Sequence, residues 1–199
     1  LGIVLSIAGG MYMAAGAPIK HMAVVAGCAV IVIIGFAFAS PLRWARVTTI
    51  FTPLADARGS GWQLNQSFIA IGSGGVLGKG LGQSTQKFGF LPEPFGDSIF
   101  AVIVEELGLV GGLATIALFA GLIGSHLLVA HQAHDGFGSL IASGMALWIA
   151  VQTVVNMAAM TGLGPLTGIP LPLVSYGSSS MLMLLAGLGL ATSVADRSS

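Results

Sequence analysis

Residues 98 to 129 read SIFAVIVEELGLVGGLATIALFAGLIGSHLLV, a run long enough to cross a lipid bilayer as one helix. The rest of the chain has the same character, because 55% of its 199 residues are hydrophobic and only 7% are charged. Soluble domains carry about 25% charged residues, which cover their surface. We therefore predict an all-α, polytopic membrane protein. The net charge of +0 offers no electrostatic attraction to nucleic acid.

Five apolar stretches, separated by polar or proline- and glycine-rich breaks, are predicted to span the membrane. They are residues 1–17, 22–39, 98–129, 137–161 and 177–194. The third is longer than the hydrocarbon layer requires, so one of its ends is expected outside the lipid. The stretches form one integral membrane domain, and the missing initiator methionine suggests a fragment of a longer chain. The single cysteine, Cys28, excludes an internal disulfide.

A long polar connection, residues 40–97, joins the second and third predicted spans. It contains five of the seven basic residues, namely Arg43, Arg46, Arg58, Lys79 and Lys87. Loops of this length without structure of their own are uncommon and are more often functional. Within it, WQLNQSFIAIGSGGVLGKGLG at residues 62–82 mixes an apolar run with glycines. This favours a re-entrant half-helix packed against protein, and a flexible surface loop is the alternative.

Four of the seven acidic residues lie between Glu93 and Glu106. Asp97 directly precedes the apolar run, where a carboxylate can cap a helix by accepting backbone N–H groups. The same position at the water–lipid boundary suits an acid–base residue that meets a lipid-linked substrate. Glu105 and Glu106 fall inside the span, where an unpaired charge is costly. Because adjacent helical residues point about 100° apart, we expect one of these glutamates to hold a loop arginine or backbone donors.

A second connection, PLTGIPLPLVSYGSSS at residues 165–180, contains three prolines. Its backbone is therefore predicted to be non-helical and either buried in protein or lining a cavity. Its serines, Ser175 and Ser178 to Ser180, can bind a ligand or cap the last span. The turn HQAHDG, residues 131–136, separates the third and fourth spans. His126, His131 and His134 lie near this turn without a fourth ligand, so no metal site is predicted there.

With these segments identified, the chain resembles the SEDS family of bacterial cell-wall synthesis, which includes FtsW, RodA and SpoVE. The resemblance is carried by RVTTIFTPLADARGSGWQLNQSFIAIGSGGVLGKGLGQSTQKFGFLPE, then DSIFAVIVEELG, then TGIPLPLVSYGSSS. It implies a ten-helix membrane protein, of which this chain is roughly the C-terminal half, and QKFGFLPE favours the FtsW branch. The family's essential aspartate matches Asp97. Two departures are Phe95 and Gly96, where many members have His-Thr, and Ser178, where glycine is usual.

The resemblance implies a peptidoglycan glycosyltransferase that polymerises lipid II. Inverting transfer from an α-linked pyrophosphate to a β-1,4 bond needs one carboxylate, Asp97, to deprotonate the attacking hydroxyl. The leaving pyrophosphate is a stable anion, so cations replace a general acid. A divalent cation, Mg²⁺ or Mn²⁺, is a further candidate for this role. The predicted substrate-binding residues are Arg43, Arg46, Arg58, Gln63, Gln66, Ser67, Lys79, Gln83, Lys87, Glu93, Ser175, Tyr176 and Ser179. Glu105, Glu106 and Asn156 are predicted to be structural.

The resemblance also implies partners and a compartment. The expected partners are lipid II, the growing glycan strand and a class B penicillin-binding transpeptidase, and the expected location is the bacterial plasma membrane. Two other functions stay open. One is a flippase for lipid-linked precursors, because broken helices and intramembrane charges also mark carriers. The other is a non-catalytic scaffold of the division complex.

The basic residues raise a conflict over topology. Arg43 and Arg46 follow the second span, and basic residues beside a span favour the cytoplasmic side. The implied chemistry requires the opposite, because exported lipid II is polymerised outside the cell. The charge rule weakens for long loops. We therefore predict that the loops at residues 40–97 and 162–176 are extracytoplasmic and that the turn at residues 131–136 is cytoplasmic.

Overall fold

The computed structural model describes residues 2–16 and 60–198, and within these ranges every regular element is an α-helix. The helices are α1 (Gly2–Ala14), α2 (Ser60–Gly74), α3 (Ile99–Gln132), α4 (Gly136–Met160) and α5 (Ser178–Ser198). The predicted spans at residues 1–17, 98–129, 137–161 and 177–194 therefore correspond to α1, α3, α4 and α5. The span at residues 22–39 lies outside the described residues, as do Cys28, Arg43, Arg46 and Arg58.

Three of these helices, α3, α4 and α5, are long and apolar enough to cross a membrane. The 34 residues of α3 extend roughly 51 Å at 1.5 Å per residue, well beyond a hydrocarbon layer of about 30 Å. This agrees with the expectation that one end of α3 leaves the lipid. Helix α1 is apolar but has only 13 residues. The chain is thus part of a multi-pass membrane protein.

The chain divides into two compact units. One unit contains α1, the later part of α3 from Phe119, the earlier part of α4 to Val151, and α5. Small residues bring its helices close together, because Gly144 faces the side chain of Met11 and Gly187 faces that of Met145. Such small residues at helix contacts are typical of membrane helix packing, since they let backbones approach.

The other unit contains α2, the earlier part of α3, the end of α4 and the connection that follows it. Two buried apolar clusters form its core. The first consists of Ala70, Leu91, Ala101 and Val102. The second consists of Phe100, Val104, Ala159 and Met160. Together they fix the start of α3 against α2 and against the end of α4. The candidate catalytic carboxylate, Asp97, lies immediately before that start of α3.

Helix α2 occupies the segment for which a re-entrant half-helix is predicted. It ends at Gly74, where a Cβ atom would meet the backbone carbonyl of Val104 in α3. Only glycine allows this close approach of the two backbones. The helical part of the prediction is therefore confirmed, and insertion of α2 into the membrane stays a prediction.

Helix α3 is interrupted at Gly108, whose φ of 70° and ψ of −168° are not helical. The interruption leaves backbone groups of α3 without partners inside the helix, and the segment 75–80 supplies them. The N–H groups of Leu109 and Val110 donate to the carbonyls of Gly75 and Val76 at 2.9 and 3.2 Å. In return, the N–H groups of Lys79 and Gly80 donate to the carbonyls of Glu105 and Glu106 at 3.0 and 2.9 Å. These four bonds satisfy backbone groups on both sides of the break inside an apolar span, where unpaired groups would be costly.

The connection between α4 and α5 differs in one respect from its prediction. Its backbone is non-helical from Leu163 to Gly177, but Ser178 to Ser180 form the first turn of α5. The prediction of a non-helical stretch up to residue 180 is therefore wrong at its end. The last proline is Pro172, so nothing in the backbone chemistry prevents a helix from starting at Ser178.

Candidate active site

Asp97 lies at the end of the long connection, and its half-buried carboxylate meets α2. The side-chain amide of Gln63 donates to Asp97 Oδ2 at 3.1 Å. The same amide donates to Ser98 Oγ at 3.0 Å, and Ser98 Oγ donates to the carbonyl of Pro92 at 2.9 Å. Within the described residues, no lysine or arginine pairs with Asp97. The carboxylate is therefore held by neutral groups only in this part of the chain.

The alternative of a helix cap for Asp97 does not match the geometry. The carbonyl of Ser98 accepts the first backbone bonds of α3, from Ala101 and Val102 at 3.1 and 3.4 Å. Ser98 is therefore the N-cap residue. Among the described residues, no backbone N–H group donates to the Asp97 carboxylate. Within the part of the chain that the structure describes, Asp97 Oδ1 accepts only a long bond, from Ser98 Oγ at 3.4 Å.

The backbone before α3 is held by an unusual run of hydrogen bonds. Three successive carbonyls each accept one bond, and all three donors come from the segment 156–176. The bonds are Tyr176 N to Phe95 O at 2.7 Å, Ser175 Oγ to Gly96 O at 2.6 Å and Asn156 Nδ2 to Asp97 O at 2.7 Å. We call these three bonds the carbonyl clamp. It brings the two predicted loops together at Asp97.

Glu105 is completely buried and lies at the centre of a polar cluster in α3. Its carboxylate pairs with Lys79 Nζ at 2.6 Å. It also accepts bonds from Ser84 Oγ at 2.5 Å and from the backbone N–H and hydroxyl of Thr85 at 3.1 and 2.9 Å. A buried carboxylate needs such donors, and these come from one short loop. The contacts are those of a structural group that fixes the loop.

Glu106 makes a second, separate set of contacts with the same loop. It pairs with Lys87 Nζ at 2.5 Å, and both side chains are 13% exposed. It also accepts bonds from the backbone N–H groups of Gly82 and Ser84 at 3.0 and 3.3 Å. The sequence predicts that one of the adjacent glutamates holds a loop arginine or backbone donors, and the structure shows that both hold loop donors. The partners are lysines and backbone amides of residues 79–87.

The remaining predicted binding residues have different surroundings, and substrate contact stays a prediction for all of them. Gln66, Ser67 and Ser175 are buried, and Ser67 Oγ donates to the carbonyl of Gln63 at 2.9 Å. Gln83, Glu93 and Tyr176 are exposed on the same unit as Asp97. Ser179 is exposed in the first turn of α5, which belongs to the other unit.

Sequence reasoning missed several groups that the structure brings into this site. Ser98 accepts a bond from Gln63. The hydroxyls of Ser84 and Thr85 donate to Glu105. The side-chain amide of Gln152 donates to the carbonyl of Pro170 at 3.0 Å. Polar residues on an otherwise apolar α4 were the available signal for Gln152, because such residues need partners in lipid. Of the three histidines near the turn at residues 131–136, His126 bonds the carbonyl of Leu122 through Nδ1 at 2.9 Å.

Comparison with known proteins identifies the family. The sequence model of the FtsW, RodA and SpoVE proteins, described as cell cycle protein, matches residues 1–199. The chain belongs to this family. Among relatives, it is 42% identical over 184 residues to the stage V sporulation protein E of Bacillus subtilis, covering 92% of this chain and 50% of that protein. It is 43% identical over 191 residues to a probable peptidoglycan glycosyltransferase FtsW of a Thioalkalivibrio strain, covering 94% and 48%.

Solved structures of this family have the same fold. A chain of a peptidoglycan synthase complex that coordinates polymerization and crosslinking matches with a TM-score of 0.74 at 30% identity, covering 95% of this chain and 52% of that one. The rod shape determining protein RodA of Thermus thermophilus, solved as an aspartate mutant, matches with a TM-score of 0.59 at 25% identity, covering 95% and 46%. The chain thus spans about half the length of the FtsW/RodA/SpoVE relatives it matches.

Proposed function

We propose that the whole protein polymerises lipid II into glycan strands by inverting transfer, with release of undecaprenyl pyrophosphate. The curated relatives named peptidoglycan glycosyltransferase FtsW support this activity. The observation that carries it is the Asp97 carboxylate, which is half-buried, free of lysine or arginine partners among the described residues, and mounted on a clamped backbone. Such a group can accept a proton from a sugar hydroxyl at the edge of a lipid phase.

In this reaction Asp97 removes the proton from the attacking hydroxyl of one sugar. The oxygen forms a bond to the anomeric carbon of the other, and the bond from that carbon to the pyrophosphate oxygen breaks with the electron pair staying on the pyrophosphate. Gln63 holds Oδ2 of Asp97, and we assign the role of proton acceptor to Oδ1. No general acid is needed, because the leaving group is already a stable anion.

The leaving pyrophosphate still needs positive charge. Lys79 and Lys87 are paired with Glu105 and Glu106. We therefore assign the first role in pyrophosphate binding to Arg43, Arg46 and Arg58, which lie outside the described residues. In the described part of the chain, no group of three or more His, Cys, Asp or Glu side chains could hold a metal ion. Mg²⁺ or Mn²⁺ stays a candidate, and no step above depends on it.

The proposal includes partners and a location. The solved neighbour is part of a complex for polymerization and crosslinking, so we propose a class B penicillin-binding transpeptidase as the partner of this protein. Relatives named FtsW and stage V sporulation protein E favour a role in division or in a related wall-building process over a role in cell shape. A polymerase that acts on exported lipid II belongs in the bacterial plasma membrane.

The test is polymerisation of lipid II by the purified full-length protein carrying Asp97→Asn. We expect a loss of about 100-fold or more, because a positioned general base contributes roughly 10² to 10⁴ in rate. The matched control is Asp135→Asn. Asp135 Oδ2 accepts the N–H of Gly138 at 3.0 Å at the start of α4, a role that asparagine also fills. The control should therefore retain full activity.

The assay runs in detergent without a membrane potential or gradient, so polymer formation by the unmodified protein would exclude a pure flippase. Equal polymer yields from Asp97→Asn and the unmodified protein would remove Asp97 as the base. No polymer from the unmodified protein, with its transpeptidase partner added, would favour the scaffold.

A further inference from the structure

The carbonyl clamp uses three consecutive carbonyls next to the proposed base, and its donors come from elements far away in sequence. We infer that Ser175 and Asn156 are positioning residues, which set the location of Asp97 by holding its backbone rather than by contacting substrate. The inference rests on the proposed function, because it assigns a role within that reaction.

Ser175 is 5% exposed, and its hydroxyl bonds inside the protein. It donates to the carbonyl of Gly96 at 2.6 Å and accepts the N–H of Leu171 at 2.7 Å. The first bond reaches the residue before Asp97, and the second fixes the connection between α4 and α5. The hydroxyl has one hydrogen, which is committed. This role differs from the substrate contact predicted from the sequence.

Asn156 is 1% exposed and projects from the last turns of α4. Its amide nitrogen donates to the carbonyl of Asp97 and to that of Ile169, both at 2.7 Å. An amide nitrogen has two hydrogens, so Asn156 Nδ2 can make both bonds at once. It thereby ties the backbone of Asp97 and the connection between α4 and α5 to α4. A carboxylate or an aliphatic side chain at this position has no donor and would break both links.

The effect on catalysis follows from how little else holds Asp97. Among the described residues, its side chain receives one amide bond, from Gln63 at 3.1 Å, and one long bond, from the neighbouring Ser98 Oγ at 3.4 Å. The direction of the carboxylate therefore depends on the backbone beneath it. A general base must lie within about 2.6–3.2 Å of the proton it removes. A shift of about 1 Å can reduce the rate about 100-fold. Loss of the clamp should therefore lower kcat and leave lipid II binding unchanged.

The experiment measures kcat and KM for lipid II with the full-length protein carrying Ser175→Ala or Asn156→Leu. We expect kcat to fall about 10- to 100-fold, with KM within about two-fold of the unmodified value. Ser175→Thr keeps the hydroxyl, so its kcat should lie within about five-fold of the value for the unmodified protein. The control is Thr153→Val, one turn earlier on the same face of α4. Thr153 is buried and its hydroxyl has no partner among the described groups, so kcat should not change.

Several results would overturn the inference. One is an unchanged kcat in Ser175→Ala, and another is a raised KM with normal kcat, which would make Ser175 a substrate ligand. An equal loss of kcat in Thr153→Val would reduce the effect to core packing. If Asn156→Leu does not fold, Ser175→Ala and Ser175→Thr decide alone. Activity in Asp97→Asn would instead defeat the proposed base, so the two failures can be told apart.

Discussion

Two lysines and two adjacent glutamates form parallel ion pairs beside the break in α3. A charge inside an apolar span is stable only with a partner, and each glutamate has one lysine and several further donors. The lysines therefore have a structural reason to be present. The sequence alone suggested pyrophosphate binding for both. These two roles make different predictions for the pair formed by Lys87 and Glu106.

A double-mutant cycle separates the roles. If Lys87 acts through Glu106, Lys87→Met should lower polymerisation about five- to ten-fold in the unmodified protein but less than about two-fold in a Glu106→Gln background. Glutamine keeps an oxygen that can accept the N–H groups of Gly82 and Ser84, so the loop should stay folded. The measurement is kcat/KM for lipid II in the four proteins.

The opposite outcome is equally clear. If Lys87→Met costs the same factor in both backgrounds, Lys87 acts independently of Glu106. Direct contact with the pyrophosphate would then be its role, as the sequence suggested. Phe90, three positions further on and exposed, gives a control for general disturbance of the loop. The loss of kcat/KM caused by Phe90→Leu should be the same with glutamate or glutamine at position 106.

At the scale of elements, apolar composition and its polar breaks predicted five spans and the turn at residues 131–136. The four spans that fall in the described residues are helices. The same patterns also predicted helical structure within residues 62–82. They could not predict the break in α3, because its sequence LGLVGG offers three glycines and no sign of which one leaves the helix. The choice of Gly108 depends on bonds to residues 75–80, about thirty positions away in sequence. A short stretch of sequence does not predict contacts between residues so far apart in the chain.

The break gives a prediction about stability. Gly108→Ala should destabilise the protein by about 2 kcal/mol or more. The backbone angles of Gly108 are essentially restricted to glycine, at a cost of about 1–3 kcal/mol for other residues, and a Cβ would also meet the backbone of Val76 and Gly78. The control is Gly121→Ala in the regular part of α3, where no atom lies within 4 Å of the added Cβ. It should be neutral or stabilising.

Thermal denaturation of the detergent-solubilised protein, followed by loss of the monodisperse peak, measures both variants. Equal melting temperatures for Gly108→Ala and Gly121→Ala would show that α3 can close its break without cost. The bonds from residues 75–80 would then be incidental to the fold.

At the scale of the whole molecule, the sequence predicted the loops that carry the site but not how they meet. Asp97 was predicted from its position before an apolar run, and the clamp that holds it was not. Its donors, Asn156, Ser175 and the N–H of Tyr176, are separated from Asp97 by most of α3 and α4. Their convergence depends on two spans returning the chain to the same side.

That return determines the topology. Helix α3 carries the chain from Asp97 to the turn at residues 131–136, and α4 carries it back to the connection at residues 161–177. The clamp bonds join residues 95–97 to Ser175 and Tyr176, so the two connections lie together. Two membrane crossings, by α3 and α4, predict that the turn lies on the opposite side of the membrane. Bonding therefore fixes which segments share a side. What stays in conflict is whether that side is extracytoplasmic, as the proposed reaction requires, or cytoplasmic, as Arg43 and Arg46 suggest.

Labelling in intact cells decides the side. The variants are full-length proteins with Cys28→Ala and any other native cysteine removed, each with one new cysteine at Thr167, Gln83 or His134, which are all exposed. We expect a membrane-impermeant maleimide to label the cysteines at positions 167 and 83 in intact cells. The cysteine at position 134 should stay unlabelled. Permeabilised cells should label all three, which shows that His134 is reactive. Labelling of His134 alone in intact cells would place Asp97 in the cytoplasm. Exported lipid II could not reach it there, and the proposed polymerase would be excluded. Labelling of the cysteine at position 167 but not of the one at position 83 would still place Asp97 outside the cytoplasm. It would show that residues 79–87 are buried against lipid or protein.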